Sequence, residues 1–244
     1  MDGEQVALIF LIIYAMNCFI MCGRYTLVLD LTTVLKRFLI QGPHPGLTPQ
    51  YNIAPTQNAP VILNDGTRAM NLFRWGLIPS WAKDATIGYK LINARAETLE
   101  EKASFKRPLQ RSRCLVPADG FYEWQVKDKV KIPMRIRLKS HGPFAFAGLW
   151  DTWKDAEGKE LKTFTIITTG PNEILAPIHN RMPAILRPQD EEMWLDPTAD
   201  VKHLTQALKP YPAEEMEAYE VSRVVNNARN NGPQCIEPVS PESS

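Results

Sequence analysis

Cysteine is scarce in this chain of 244 residues: four stand at positions 18, 22, 114 and 235, and no two share C-x-x-C spacing. Such thin usage excludes a disulfide framework and points to a reducing cytoplasm. Histidine is as rare, also four, and does not cluster around the thiols, so no zinc site is expected. An excess of either charge is also lacking. The net charge of +1 argues neither for nor against nucleic acid. No internal repeat is visible, and Gly and Pro are spread through the body instead of pooling in a linker, so one large domain is expected. With 44% apolar and 23% charged residues, the chain can bury a sizeable core.

Charge is uneven within that near-neutral total. Residues 95–139 hold twelve Lys/Arg against six Asp/Glu, and residues 140–220 hold seven against fourteen. A basic face opposite an acidic one accounts for this, and so does a pair of ordinary solvated surfaces.

The front of the chain is unusual. Residues 6–20 (VALIFLIIYAMNCFI) carry no charge, yet no basic residue precedes them, only Asp2 and Glu4, and no A-x-A-like cleavage site follows. That is poor grammar for a secretory signal. A membrane anchor wants about 20 apolar residues, and the uncharged run ends at Arg24. The third reading takes residues 1–21 as a removed leader or an upstream start, so that the mature chain begins Cys22-Gly23-Arg24-Tyr25. Sequence grammar alone leaves these readings open.

Further along, strands outnumber helices. Residues 23–29 alternate as a strand does, and Asp30 caps an expected short helix over 30–40. Residues 41–60, rich in Pro and Gly, read as a loop or extended stretch. Strands at 60–63 and 69–75 flank the hairpin turn Asn64-Asp65-Gly66. A helix is expected over 95–106, then β-rich runs at 113–117, 121–126, 132–138, 143–149 and 163–169. Short helices are expected at 171–178, 188–194 and 199–208, then a last strand from 221, an Asn/Gly-rich loop and a frayed tail at 240–244. The strands are not interleaved with helices, which predicts α+β: a mixed, mostly antiparallel β core with barrel-like curvature and flanking short helices.

Four segments carry chemistry: Met21-Cys22-Gly23-Arg24; LINARAE, with Asn93, Arg95 and Glu97; PADGFYEW, with Asp119, Glu123 and Trp124; and APIHNRMPAIL, with His179, Asn180, Arg181 and Met182. Taken singly, each has a dull explanation. A lone Cys is usually a small buried hydrophobe, Asn93 can bond to backbone, Glu123 can face water from a strand, and His179 can be a satisfied core histidine.

Together with YNIAPTQ, WGLIPSWAKD, the Thr168-Thr169 pair and the closing VSRVVNNARNNGPQCIEP, these segments give the chain a resemblance to the SRAP family, named for SOS-response-associated peptidases and also called abasic-site processing proteins. The resemblance spans Cys22 to about Val239, which makes 22–239 a single SRAP domain. It implies a barrel-like β core, a DNA groove, covalent attachment to abasic sites in single-stranded DNA, and catalytic residues that fall by motif on Cys22, Asn93, Glu123 and His179. The family begins with Met directly before Cys. The leader therefore departs from the pattern, and the chemistry requires the Met21–Cys22 bond to be broken.

That chemistry is simple. An abasic deoxyribose is partly an open-chain aldehyde, which condenses with an unprotonated amine to an imine. An N-terminal amine titrates near ~7.7–8.0, against ~10.4 for Lys. The thiol of the same residue can then close a five-membered thiazolidine. His179 would serve as general acid/base, Glu123 would orient the amine and relay its protons, and Asn93 would fix the N-terminus or the sugar. The imine also makes a β-elimination lyase side activity accessible. Arg24 and Arg95 are expected on phosphates, Trp75 and Trp81 against bases, and Thr168 or Thr169 on phosphate or sugar, although Trp75 can equally be core. No cofactor, no metal and no stable membrane partner are expected, and the protein is expected to be a cytoplasmic monomer. Self-removal of the leader would give it peptidase character. An N-terminal-nucleophile glutamine amidotransferase, a Cys22–His179 cysteine peptidase and a passive single-strand binder are the rivals. A glutaminase assay and stoichiometric crosslinking to abasic DNA separate them.

Overall fold

The computed structural model describes residues 22–239. The apolar leader at 1–21, with Cys18, and the tail at 240–244 lie outside the described residues. The strands, several of them buried on both faces, are β1 (Arg24–Leu27), β2 (Gln50–Ile53), β3 (Asn58–Leu63), β4 (Met70–Trp75), β5 (Asn93–Arg95), β6 (Arg113–Ala118), β7 (Gly120–Lys127), β8 (Val130–Leu138), β9 (Phe144–Lys154), β10 (Glu160–Thr169), β11 (Met182–Pro183), β12 (Ile185–Leu186) and β13 (Met216–Glu220). Among the described residues four short α-helices flank them: α1 (Leu31–Arg37), α2 (Ala103–Arg111), α3 (Pro188–Leu195) and α4 (Val201–Gln206).

One sheet runs β13-β8-β7-β1-β2, antiparallel throughout. In the other, β10-β4-β3-β6-β9 closes on itself because β9 also pairs with β10, giving a five-stranded barrel. The α+β expectation with a barrel-like core therefore holds. Parallel pairing is confined to β10 with β4 and with β5. An aromatic cluster joins the barrel to the other sheet. Trp75 stacks on Phe164, and Tyr25 meets Trp75 and Phe146 edge to face. Each such fully buried side chain stabilises the fold by about 1.5–3 kcal/mol.

Two polar devices fix β1, the strand that leads out of Cys22. The first is Asp119, between β6 and β7, whose carboxylate accepts from the Thr26 hydroxyl (2.6 Å), the Val28 and Leu29 N–H groups (2.5 and 2.9 Å) and Arg135 (3.2 Å). Both members of this ion pair are buried. Gly120 makes room for it, since a Cβ there would lie 2.8 Å from the Arg135 guanidinium. The second device is a strap formed by the residues after β13. The Asn52 amide lies 2.9–3.1 Å from the carbonyl oxygens of Val225, Asn227 and Asn230. Tyr51 N–H donates to Asn231 (2.6 Å), and the Tyr122 hydroxyl reaches the carbonyls of Tyr51 and Cys235. The strap thus covers the outer edge, β2.

Local expectations meet mixed outcomes. The Asp30 cap is present, its carboxylate accepting from Thr33 N–H, and the Asn64-Asp65-Gly66 turn joins β3 to β4 with Gly66 at φ 74°. Three expectations are corrected. The helix placed at 95–106 begins only at Ala103, because Asn93–Arg95 is drawn into parallel pairing with β10. Residues 171–178 form turns, not a helix. Pro177 lacks a donor and disfavours helix before it, and Asn172 accepts from Leu175 N–H at 3.0 Å while donating to the Tyr211 carbonyl. The last strand is β13, ahead of residue 221; Val221 keeps a single bridge to Pro238.

Candidate active site

Cys22 enters β1 at φ 45°, a left-handed conformation that non-glycine residues rarely adopt. It is free of disulfide and 3% exposed. Its backbone N–H donates to Glu123 Oε1 at 2.8 Å. The antiparallel register of β1 and β7, with Arg24 opposite Tyr122, makes this meeting possible across 101 residues of sequence. Glu123 is itself 2% exposed. Burial pushes its carboxyl above the usual range, against the opposing charge of His179 and the hydrogen bonds from Cys22. The Cys22 thiol is also driven well above the ordinary cysteine range, first by burial and then by the Glu123 charge and hydrogen bond, while Arg181 pulls the other way.

His179 sits half-buried at the end of the turns after β10. Its Nδ1 accepts from Arg181 N–H at 3.2 Å and lies 3.3 Å from the Arg181 carbonyl. Arg181 forms a two-pronged pair with Glu97 at 2.6 and 2.9 Å and donates to the Thr168 carbonyl at 2.6 Å. That guanidinium holds Glu97 below the usual carboxylate range. Asn93 opens β5, half-buried and in register with Ile166 of β10. The structure therefore joins Cys22 directly to Glu123, brings His179 and Arg181 within electrostatic reach, and sets Asn93 on the strand beside β10. Arg181 stands in the quoted IHNRMP segment. Only the fold, which turns it back onto β10, shows that it belongs to this cluster.

The expected DNA contacts separate. Arg95 and Trp81 are exposed, Trp81 by 58%. Arg24 is engaged inside the protein, donating to Asn52 Oδ1 (3.0 Å) and to the carbonyls of Val225 (2.9 Å) and Asn226 (3.3 Å). Trp75 is corrected to a core residue: it is fully buried, with Nε1 on the Ile92 carbonyl at 2.8 Å, because it closes β4 where its ring packs between Tyr25 and Phe164. Thr168 is also fully buried and Thr169 is 6% exposed, since both end β10 against β11. Among the described residues no three His, Cys, Asp or Glu side chains converge to hold a metal ion, and no helix is long and apolar enough to cross a membrane.

Residues 21–228 match the model of a family described as SOS response associated peptidase (SRAP). The chain is 53% identical over 222 residues to the abasic site processing protein YoqW of Bacillus subtilis, an alignment covering 89% of this chain and 99% of that protein. It is 37% identical to the abasic site processing protein HMCES of Xenopus tropicalis, covering 77% of this chain and 65% of that one. A crystal structure of a Bacteroides thetaiotaomicron protein matches with a TM-score of 0.83 at 32% identity, covering 90% of this chain and all of that one.

Proposed function

This chain belongs to the SRAP family, and from that membership we propose that it processes abasic sites in DNA, capturing the sugar aldehyde on Cys22 once Cys22 is the first residue of the mature chain. One observation carries the reading: the Cys22 nitrogen lies 2.8 Å from a buried carboxylate, Glu123 Oε1. As an α-amine, that nitrogen must lose a proton before it attacks, and Glu123 stands where the proton leaves.

The steps balance without a co-reactant. The amine adds to the aldehyde carbon, and His179 protonates the departing oxygen so that water leaves and an imine remains. The thiol then adds across the imine, sulfur to carbon and proton to nitrogen, closing the thiazolidine. A thiol held high in pKa is in its protonated form and brings that proton with it. Peptidase character, in this reading, is release of the leader alone. Asn93 positions the N-terminus or sugar, Arg95 holds phosphate, and Trp81 stacks beside the unpaired site in single-stranded DNA. The protein acts in the cytoplasm as a monomer, and β-elimination from the imine is its side reaction.

The test is a single-stranded oligonucleotide with one abasic site, incubated with protein whose intact mass shows Cys22 at the N-terminus. A heat-stable species is expected at the summed mass minus one water, and Cys22→Ala abolishes it. An adduct of normal yield from Cys22→Ala would reject the scheme.

A further inference from the structure

The loop from β4 to β5 exposes two large aromatic rings, Trp81 at 58% and Tyr89 at 52%. The proposed capture reading uses Trp81 and leaves Tyr89 without a role. We infer that Tyr89, lying under the guanidinium of Arg74, is a second stacking seat for a nucleotide flanking the captured sugar. This inference rests on the abasic-site reading and extends its footprint along the strand.

Three observations support it. First, the loop is held in place. Its neck closes where Gly76 and Gly88 touch: a Cβ on Gly76, at φ 119°, would lie 2.6 Å from the Gly88 carbonyl oxygen, and one on Gly88 would lie 2.9 Å from that of Gly76. Trp153 Nε1 donates to the Ala82 carbonyl at 2.7 Å, and Ser80 N–H donates to Asp151 at 2.8 Å. A ring kept in water on a fixed support loses little entropy when a base settles on it.

Second, the charge fits a phosphate chain. Residues 72–95 hold Arg74, Lys83, Lys90 and Arg95 against the single acid Asp84. Arg74 Cζ stands 5.9 Å from the Tyr89 ring centroid. The cation covers one part of the ring, while half of the side chain's surface stays open to a base.

Third, the reach is right. Tyr89 precedes Asn93 by four residues, so the two lie within ~14 Å even if the chain between them is fully extended. That is about four stacked nucleotide steps at ~3.4 Å each.

The test uses undamaged single-stranded DNA, which has no aldehyde, so its outcome is independent of capture at Cys22. Binding of a labelled strand of about 15 nucleotides, near the upper site size of single-strand binders, is followed by fluorescence anisotropy at fixed salt. Tyr89→Ala is expected to weaken binding about 10-fold, the effect of losing one stacked base, and Tyr89→Phe to keep it. Tyr89→Lys adds a cation without a ring and is expected to bind more weakly than the native protein. Because Tyr89 is half in water, thermal midpoints should not move. Native affinity in Tyr89→Ala or Tyr89→Lys overturns the inference, including the case in which the ring serves a protein partner instead. If the native protein binds through Tyr89 yet forms no adduct on abasic DNA, the capture reading fails and this one stands.

Discussion

Glu123 is buried as a carboxyl beside the Cys22 nitrogen, and burial disfavours its charge. Its folded pKa is raised, so the folded protein holds this proton more tightly than the unfolded chain does. The stability it contributes is therefore full below the unfolded value of ~4.3 and lost as pH rises through the folded value. Glu123→Gln should raise neutral-pH stability by about 0.5–2 kcal/mol while slowing adduct formation by about 100-fold or more. Melts between about pH 5 and pH 8 check the sign: the advantage of the variant should shrink toward acid, and an advantage constant with pH would show that Glu123 is not its source. At this scale the members of the candidate cluster were legible: Cys22, Glu123 and His179, which the structure brings together, and Asn93, on the strand beside β10, all stand in the quoted motifs. What could not be read is whether Trp75 is core or meets DNA. Trp75 closes a barrel strand and Trp81 tips a loop, and barrel closure is a matter of β9 meeting β10, not of local pattern.

Among the elements, α2 and α3 end on one another's support. Arg113, fully buried, donates to the carbonyls of Leu109 (2.8 Å) and Gln110 (2.9 Å) in α2, to that of Trp194 (2.7 Å) in α3, and to the Asp196 carbonyl just beyond it. Helix C-termini leave carbonyls without partners and favour a cation, and here a single guanidinium serves two of them. Arg113→Met should cost on the order of 3 kcal/mol, since several buried acceptors lose their donor at once, and a lowered urea midpoint with unchanged slope is the expected result. Element type was legible where a local device dictates it, as at the Asp30 cap and the Asn64-Asp65-Gly66 turn. It was not legible at 95–106, where a neighbouring strand captures Asn93–Arg95, or at 171–178, where the Asn172 side chain organises turns in place of the expected helix.

Across the whole molecule, a net charge of +1 leaves DNA affinity to local patches. Binding to undamaged single strands should fall with salt, by ~0.7 in log–log slope for each phosphate contacted. Arg95→Gln should reduce that slope by about one such contact; an unaltered slope removes Arg95 from the phosphate path. The strap places a further constraint on the protein's history. Chains fold as they leave the ribosome, the N-terminal part first, yet Tyr51 and Asn52 on the outer strand beside β1, and Arg24 itself, take partners among residues 225–231. The strand that follows Cys22 is thus among the earliest made and the last to be buttressed, so a nascent chain completes this edge of the sheet only once translation has passed the Asn-rich segment.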